Sequence, residues 1–413
     1  MKNNKPTKAK LPVLTHLCKL IPPHLVAKLA RKYGIDKQAR KFTAWSHVVS
    51  LLFAQLTHSM GLNDVCDTLR IHSPWLGSLR GAVAPARNTL SHANKNRNSD
   101  MMEELFWQTL RHLEGLMPGG FGIRYKGIPR RFKRAIHAVD SSTIALVANC
   151  MDWAKHRRRK AAAKLHLRLN LQSFLPGFAI IEEASHHDDT RAPLLCAHLQ
   201  EGEIALFDKA YVNFTHLYSL ALRGIFWVTR AKDNMSYTVR KKLLPKRKGN
   251  ILRDDLILLK TPKSKAQYPV LLRRVEMIVT VDGKEVVMVF ITNNTEWAAC
   301  TIGELYQARW GIEVFFKQIK QIKQTLQVCD FLGHSKHAIR WQLWAALLLY
   351  VLMRFMSQTV DWAHSFSGLL AMVRGVVWDR IDLTALLKSY GTAGGCYRMR
   401  AACESLYLPG FAR

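Results

Sequence analysis

The sequence predicts an α/β protein, and three observations carry that reading. Residues 11 to about 120 read as helices with recognisable stops. The middle of the chain changes to short apolar and alternating runs, and 231–300 is richer still in strand-like segments. From 301 onward the 3.6-residue apolar period returns. The expected layout is a helical N-terminal domain (1–120), the first part of an α/β core (121–230), a β-rich insertion (231–300), the second part of the core (301–360) and a helical C-terminal region (361–413).

In chain order, Val26 to Tyr33 reads as a helix stopped by Gly34, and Trp45 to Met60 as another that ends near Gly61. Asn98 to Leu113 is a third, with Ser99-Asp100 near its start. Met117-Pro118-Gly119-Gly120 is a strong break. Ala135–Val139 and Ile204–Phe207 are short apolar runs ending in Asp140 and Asp208. Leu165–Leu171 alternates as a half-buried strand does, and Phe178–Ile181 and Phe226–Thr229 are further strands around a helix at Phe214–Leu222. In the insertion, Leu256–Leu259, Val270–Leu272, Met277–Val281 and Val286–Thr292 read as strands, with Asp282-Gly283 as a hairpin turn. Leu343–Met353 holds eleven uncharged residues, short of the ~20 that span a bilayer, and reads as a buried helix.

The charge is the unusual feature of the composition. The 413 residues carry 61 Lys plus Arg against 30 Asp plus Glu, a net charge of +31. Such a field selects a polyanion, most simply nucleic acid, with an anionic membrane surface as the competing partner. The eight cysteines form no CxxC pair and no zinc spacing, which points to reduced thiols in the cytoplasm. The apolar stretch after the basic start is broken by His16, Lys19, Pro22 and Pro23, a poor signal peptide.

The chemistry concentrates in three places. Asp140 and Asp208 each close an apolar run, where a carboxylate is rigidly mounted. Glu313 lies on a helix with Tyr306, Arg309 and Lys320; at about 100° per residue all four fall within about 60°. The opposite stripe is Ala308, Ile312, Phe315, Ile319, Ile322 and Leu326. Three hard oxygen ligands suit Mg²⁺ or Mn²⁺, and two such ions about 4 Å apart serve phosphoryl transfer. Each piece also has a plain reading. An Asp at a strand end is often a turn residue, and Arg309–Glu313 and Glu313–Lys317 are ordinary i,i+4 pairs worth about 0.3 kcal/mol. Basic runs at 130–134 and 155–164 flank Asp140, and another spans 240–248; each fits a DNA backbone or a solvated face. His137, three residues before Asp140, is structural; Asp188 and Asp189 are rival acids; Trp297 and Trp310 fit core packing better than base stacking.

Taken together, these residues resemble the DDE insertion-sequence transposases, in particular the bacterial "insertion sequence four" family with its Tyr-Arg-Glu-Lys signature. That signature is Tyr306, Arg309, Glu313 and Lys320. The first acidic motif matches at His137-Ala-Val-Asp140-Ser-Ser-Thr143 and the second at Asp208-Lys-Ala-Tyr211; Phe226–Arg230 and Phe290–Asn294 also look like that family. The resemblance covers about 120–355, and the N-terminal part looks like the helical, DNA-binding domain that precedes many members. It implies an RNase H-like catalytic core interrupted by a β-rich insertion. Asp140, Asp208 and Glu313 would be the catalytic metal ligands for two Mg²⁺ or Mn²⁺ ions, and Tyr306, Arg309 and Lys320 would grip the phosphate beside the cut. The implied activity is cleavage at element ends and strand transfer, in related members through a hairpin. The implied partner is double-stranded DNA, bound by a homodimer in the bacterial cytoplasm with no membrane involved. An RNase H-like nuclease and a catalytically dead DNA-binding derivative are the alternatives.

Overall fold

The computed structural model describes residues 8–37, 39–59, 61–117, 120–121, 128–146, 150, 153–157, 160–185, 188–244, 249–281, 283–322 and 331–389. The chain divides into two units, one of residues 1–122, 144–162 and 317–413, the other of 123–143 and 163–316.

The first unit is helical. Its helices include Pro23–Lys32, Ala44–Thr57 and Asp100–Gly115, where the sequence reading expected them, and Lys336–Thr359. Local chemistry sets their ends. The Thr43 side chain accepts from the Ser46 N–H at the start of Ala44–Thr57, and His58, in the left-handed region, stops that helix before Gly61. The Ser335 side chain caps Lys336–Thr359 in the same way. Of the described helices, this one alone is long and apolar enough to cross a membrane, and 94% of its apolar window is buried inside the protein. It is the buried helix expected around Leu343–Met353, held by Arg340 donating to Asp100 and Glu103, both at 2.7 Å.

The second unit is built on a mixed sheet. Its strands are β1 (Ile136–Leu146), then β3 (Lys160–Asn170), β4 (Leu175–Glu183), β5 (Ile204–Phe207), β6 (Phe226–Arg230), β7 (Tyr237–Lys242), β8 (Ile251–Leu259), β9 (Leu272–Val281) and β10 (Lys284–Thr292). The remaining strand, β2 (Lys155–Arg157), pairs with Lys160 and Ala161 at the start of β3. The order is β3-β1-β5-β6-β10-β9-β8-β7, with β4 also on β3. β1, β5 and β6 are parallel, and β6 through β7 are antiparallel. Buried Val139, Phe207, Trp227, Tyr268 and Ile291 share one core with Leu217 and Leu220 of the helix Phe214–Leu222.

Four expectations need correction. β1 does not stop at Asp140 but runs on to Leu146; what ends at Val139 is its pairing with β5. Val270–Leu272 is not a strand of its own, because β9 is continuous from Leu272 to Val281. The start of the basic run at 240–248 belongs to a strand, β7, and residues 245–248 lie outside the described residues. β7 is an edge strand with its last five residues exposed, and its cations guard the open edge. The helix carrying the Tyr-Arg-Glu-Lys stripe is broken into Ala299–Ala308 and Gly311–Ile322. Tight i→i−3 bonds bridge the break: Arg309 N–H to Tyr306 O at 3.1 Å, Trp310 N–H to Gln307 O at 3.1 Å and Glu313 N–H to Trp310 O at 3.0 Å. Gly311 supports a helix poorly at that point. The apolar stripe Ala308, Ile312, Phe315, Ile319 and Ile322 is buried as expected; Leu326 lies outside the described residues, as do Pro118 and Gly119 of the expected break. β9 and β10 pair as expected on either side of the Asp282-Gly283 signal, Val281 with Lys284, and Gly283 lies at φ +75; Asp282 lies outside the described residues.

Candidate active site

The two aspartates are placed by strand register. β5 is a wholly buried run, Ile204-Ala205-Leu206-Phe207, and it pairs in parallel with Ile136–Val139. Val139 faces Phe207, so Asp140 and Asp208 are the next residues along two neighbouring strands, which lie about 4.8 Å apart. Asp208 then opens the 3₁₀ turn Lys209–Tyr211.

The broken helix brings the other polar groups to them. Tyr306, at the end of Ala299–Ala308, donates its hydroxyl to Asp208 Oδ1 at 3.1 Å. Arg309, at the break, donates Nη1–H to Asp140 Oδ2 at 2.8 Å and Nη2–H to Glu313 Oε1 at 3.0 Å. Its guanidinium also lies 5.4 Å from the Tyr306 ring centre. Tyr306 and Arg309 are almost fully buried, whereas the Glu313 side chain is 58% exposed and Lys320 is exposed two turns further along its helix. A guanidinium therefore sits between two of the three acids, and a phenol caps the third.

The electrostatics follow from this packing. Burial pushes the Asp140 carboxyl up to about 6; Arg309 and the Ser141 N–H pull it back, while Asp208 and Glu313 push it further up. Burial, offset by Arg309 and reinforced by Asp208, raises the Tyr306 hydroxyl to about 12, so it remains a donor.

Among the described residues, no three His, Cys, Asp or Glu side chains are grouped as metal ligands; Arg309 stands between Asp140 and Glu313. The donor set still suits a hard divalent cation. All three groups are carboxylates, and Asp140 is held against ionisation first by burial and further by the two neighbouring acids, both of which a bound cation would offset.

Other singled-out residues fall elsewhere. His137 is buried, with Nε2 3.5 Å from Glu203, and Trp297 packs on the rings of Phe132 and Phe226. Lys164, read with the basic runs, is paired with Asp188 at 2.8 Å. His186 and His187 lie outside the described residues. Five cysteines, Cys18, Cys66, Cys150, Cys196 and Cys300, are free thiols; the other three lie outside the described residues. The sequence reading missed that Ser141, Lys164, Asp188 and Tyr211 join beside the acids. The signals were that Ser141 and Tyr211 fall inside the two acidic motifs, that Asp188 stands out as a rival acid and that Lys164 belongs to a basic run.

A family model described as the transposase DDE domain matches residues 131–352, more than half of the chain, and the chain belongs to that family. Residues 9–79 match a separate model described as a domain of unknown function. Among named relatives, the transposase of insertion sequence element IS4 from Escherichia coli strain K12 is 26% identical over 372 residues, covering 86% of this chain and 78% of that one. A protein of Geobacillus stearothermophilus, named as the probable transposase of insertion sequence element IS5377, is 28% identical over 359 residues, 86% of this chain and 88% of that one. The insertion-sequence assignment made from the Tyr-Arg-Glu-Lys spacing therefore stands. The solved piggyBac transposase synaptic complex with hairpin DNA gives a TM-score of 0.46 at 8% identity, over 95% of this chain and 85% of that one.

Proposed function

We propose that this transposase cuts the ends of its insertion sequence and joins them to target DNA by metal-dependent phosphoryl transfer, with Asp140, Asp208 and Glu313 as the catalytic acids. The observation that carries the reading is the placement of Asp140 and Asp208 directly after the last paired residues of the parallel strands β1 and β5, with Glu313 tied to Asp140 through Arg309. The three carboxylates would hold two Mg²⁺ or Mn²⁺ ions. Such ions supply activation of the attacking oxygen and neutralisation of the leaving one. The core that mounts the acids is read as RNase H-like, and the segment 231–300 as its β-rich insertion.

The chain's own groups do the positioning. Arg309 is the cation nearest the acids. Its guanidinium already forks between two carboxylates, and a planar cation at that place supports a role in gripping a phosphate oxygen. Tyr306 keeps its proton at any physiological pH and orients Asp208. Exposed Lys320 adds a further phosphate contact. The partner is double-stranded DNA, favoured by the net charge of +31. Two ends have to be handled, so the working form on DNA is a homodimer, in the bacterial cytoplasm.

The test is a labelled duplex carrying the element's terminal sequence. Nicking that needs Mn²⁺ or Mg²⁺ and stops with a chelator, followed by transfer of the labelled 3′ end to target DNA, is the expected result. Nicking without transfer would identify a nuclease, and binding without nicking a dead derivative. Lys320→Ala is expected to slow nicking by about tenfold and to lower the salt slope of DNA binding by about one. Its melting temperature should not move, because the residue is exposed. An unchanged salt slope would remove Lys320 from the phosphate contacts.

A further inference from the structure

We propose that Asp188 is a positioning residue that locks β1, just past Asp140, to the turn that Asp208 opens; this rests on the reading of Asp140 and Asp208 as metal-holding acids. Asp188 opens the helix Asp188–Leu195. Its Oδ1 accepts from the Ser141 hydroxyl at 2.7 Å, pairs with Lys164 Nζ at 2.8 Å and, at the long end of hydrogen bonding, accepts from the Tyr211 hydroxyl at 3.5 Å. Ser141 directly follows Asp140. Tyr211 closes the turn that Asp208 opens, its own N–H donating to Asp208 O at 3.0 Å. One carboxylate oxygen thus gathers the residue after the first acid, the turn after the second and a lysine from β3.

The charges around it balance. Burial alone would raise the Asp188 carboxyl, but the Lys164 and Ser141 hydrogen bonds hold it below the usual carboxylate range, so it is anionic at neutral pH. His166 lies between Asp188 and Glu182, its Nδ1 3.6 Å from the first and its Nε2 3.2 Å from the second. Burial pushes this imidazole down to about 4, so it is neutral. Glu182 is bound in turn by Arg191 through two hydrogen bonds at 2.6 and 2.8 Å. Lys164 and Arg191 therefore match Asp188 and Glu182, and the rival-acid reading of Asp188 gives way to a supporting one. A tied-down support of this kind matters because a displacement of about 1 Å at a reacting centre costs about 10²-fold in rate.

The experiment uses the full chain and two readouts, Mn²⁺ binding without DNA by electron paramagnetic resonance and single-turnover nicking of the terminal duplex. Asp188→Ala is expected to weaken Mn²⁺ binding by about tenfold and nicking by about 10²-fold, with the dissociation constant for DNA changed less than about twofold. Asp188→Asn keeps an acceptor for Ser141 and Tyr211 and is expected to recover about tenfold of the lost rate; recovery no better than Ala would leave only the Lys164 ion pair and overturn the positioning role. Should Asp188→Ala fail to fold, the Ser141→Ala/Tyr211→Phe double variant removes both ties with Asp188 in place and is expected to show the same two losses. Mn²⁺ binding and nicking both near wild type, beside an inactive Asp140→Asn control, would overturn the assignment of Asp188 alone. A control that nicks normally would instead overturn the metal-site reading beneath it.

Discussion

Asp140→Asn is expected to lower end cleavage by at least about 10³-fold while leaving the protein as stable as the parent or more so at pH 7.5 in the absence of metal. The two effects come from one fact. Burial raises this carboxyl to about 6, against about 3.9 for an unfolded aspartate. Between those values the folded chain holds a proton that the unfolded chain has lost. The group therefore favours folding most below about pH 4, and that contribution is lost as pH rises through about 6. At pH 7.5 the ionised carboxylate is held against its preference, at a cost of about 3 kcal/mol. Asn has nearly the same shape and no charge, so the cost disappears along with the charge a divalent ion needs, while the Asn oxygen still accepts from Arg309 and the guanidinium keeps Glu313 as its charge partner. DNA binding should persist. Asp208→Ala and Glu313→Ala are expected to match the loss of cleavage, but Glu313→Ala should change stability little because its side chain is largely exposed. Denaturant melts beside a nicking assay check both halves. Near-normal cleavage by Asp140→Asn would remove it from the catalytic acids. A large loss of stability would show that the Arg309 contact outweighs the burial of charge.

The elements that hold the first two acids were legible because they follow local rules. Ile204–Phe207 is an uninterrupted apolar run, as a strand buried between parallel neighbours must be, and the structure gives it those bounds. The helix Phe214–Leu222 was equally plain, since Asn213 is a natural cap whose side chain accepts from the His216 N–H. What the sequence hid was non-local. The apolar run closes at Asp140, yet β1 continues through the polar Ser141-Ser142-Thr143 to Leu146, because pairing within a sheet overrides a polar run. The stripe of Tyr306, Arg309, Glu313 and Lys320 was drawn on one ideal helix, but Arg309 turns in to a carboxylate 169 positions away and the helix breaks there. A spacing argument brings side chains to one face; it does not say that an acid from another strand will claim one of them. β7 escaped notice for the opposite reason: five exposed positions leave no apolar pattern to read.

Arg309→Ala is expected to cost about 3 kcal/mol of stability as well as most of the cleavage activity. The guanidinium is almost fully buried and is the cation hydrogen-bonded to Asp140, which is itself largely buried. Removing one member of a buried pair leaves the other charge unmatched, and such losses are about 3–5 kcal/mol. The Asp140 carboxyl would respond by taking up a proton. Arg309 is the largest influence now pulling its pKa down, so without it the midpoint moves above about 6. Residual cleavage should then rise toward alkaline pH, where the parent has already levelled off. Arg309→Lys separates charge from shape. A single ammonium can satisfy Asp140 but cannot fork to Glu313 as well, so Lys should restore most of the stability and little of the rate. The deciding measurements are urea midpoints for the three proteins and the pH dependence of single-turnover nicking. If Arg309→Ala melted with the parent and kept the parent's pH midpoint, the guanidinium would not be what holds Asp140 ionised, and its place between the acids would carry no energy.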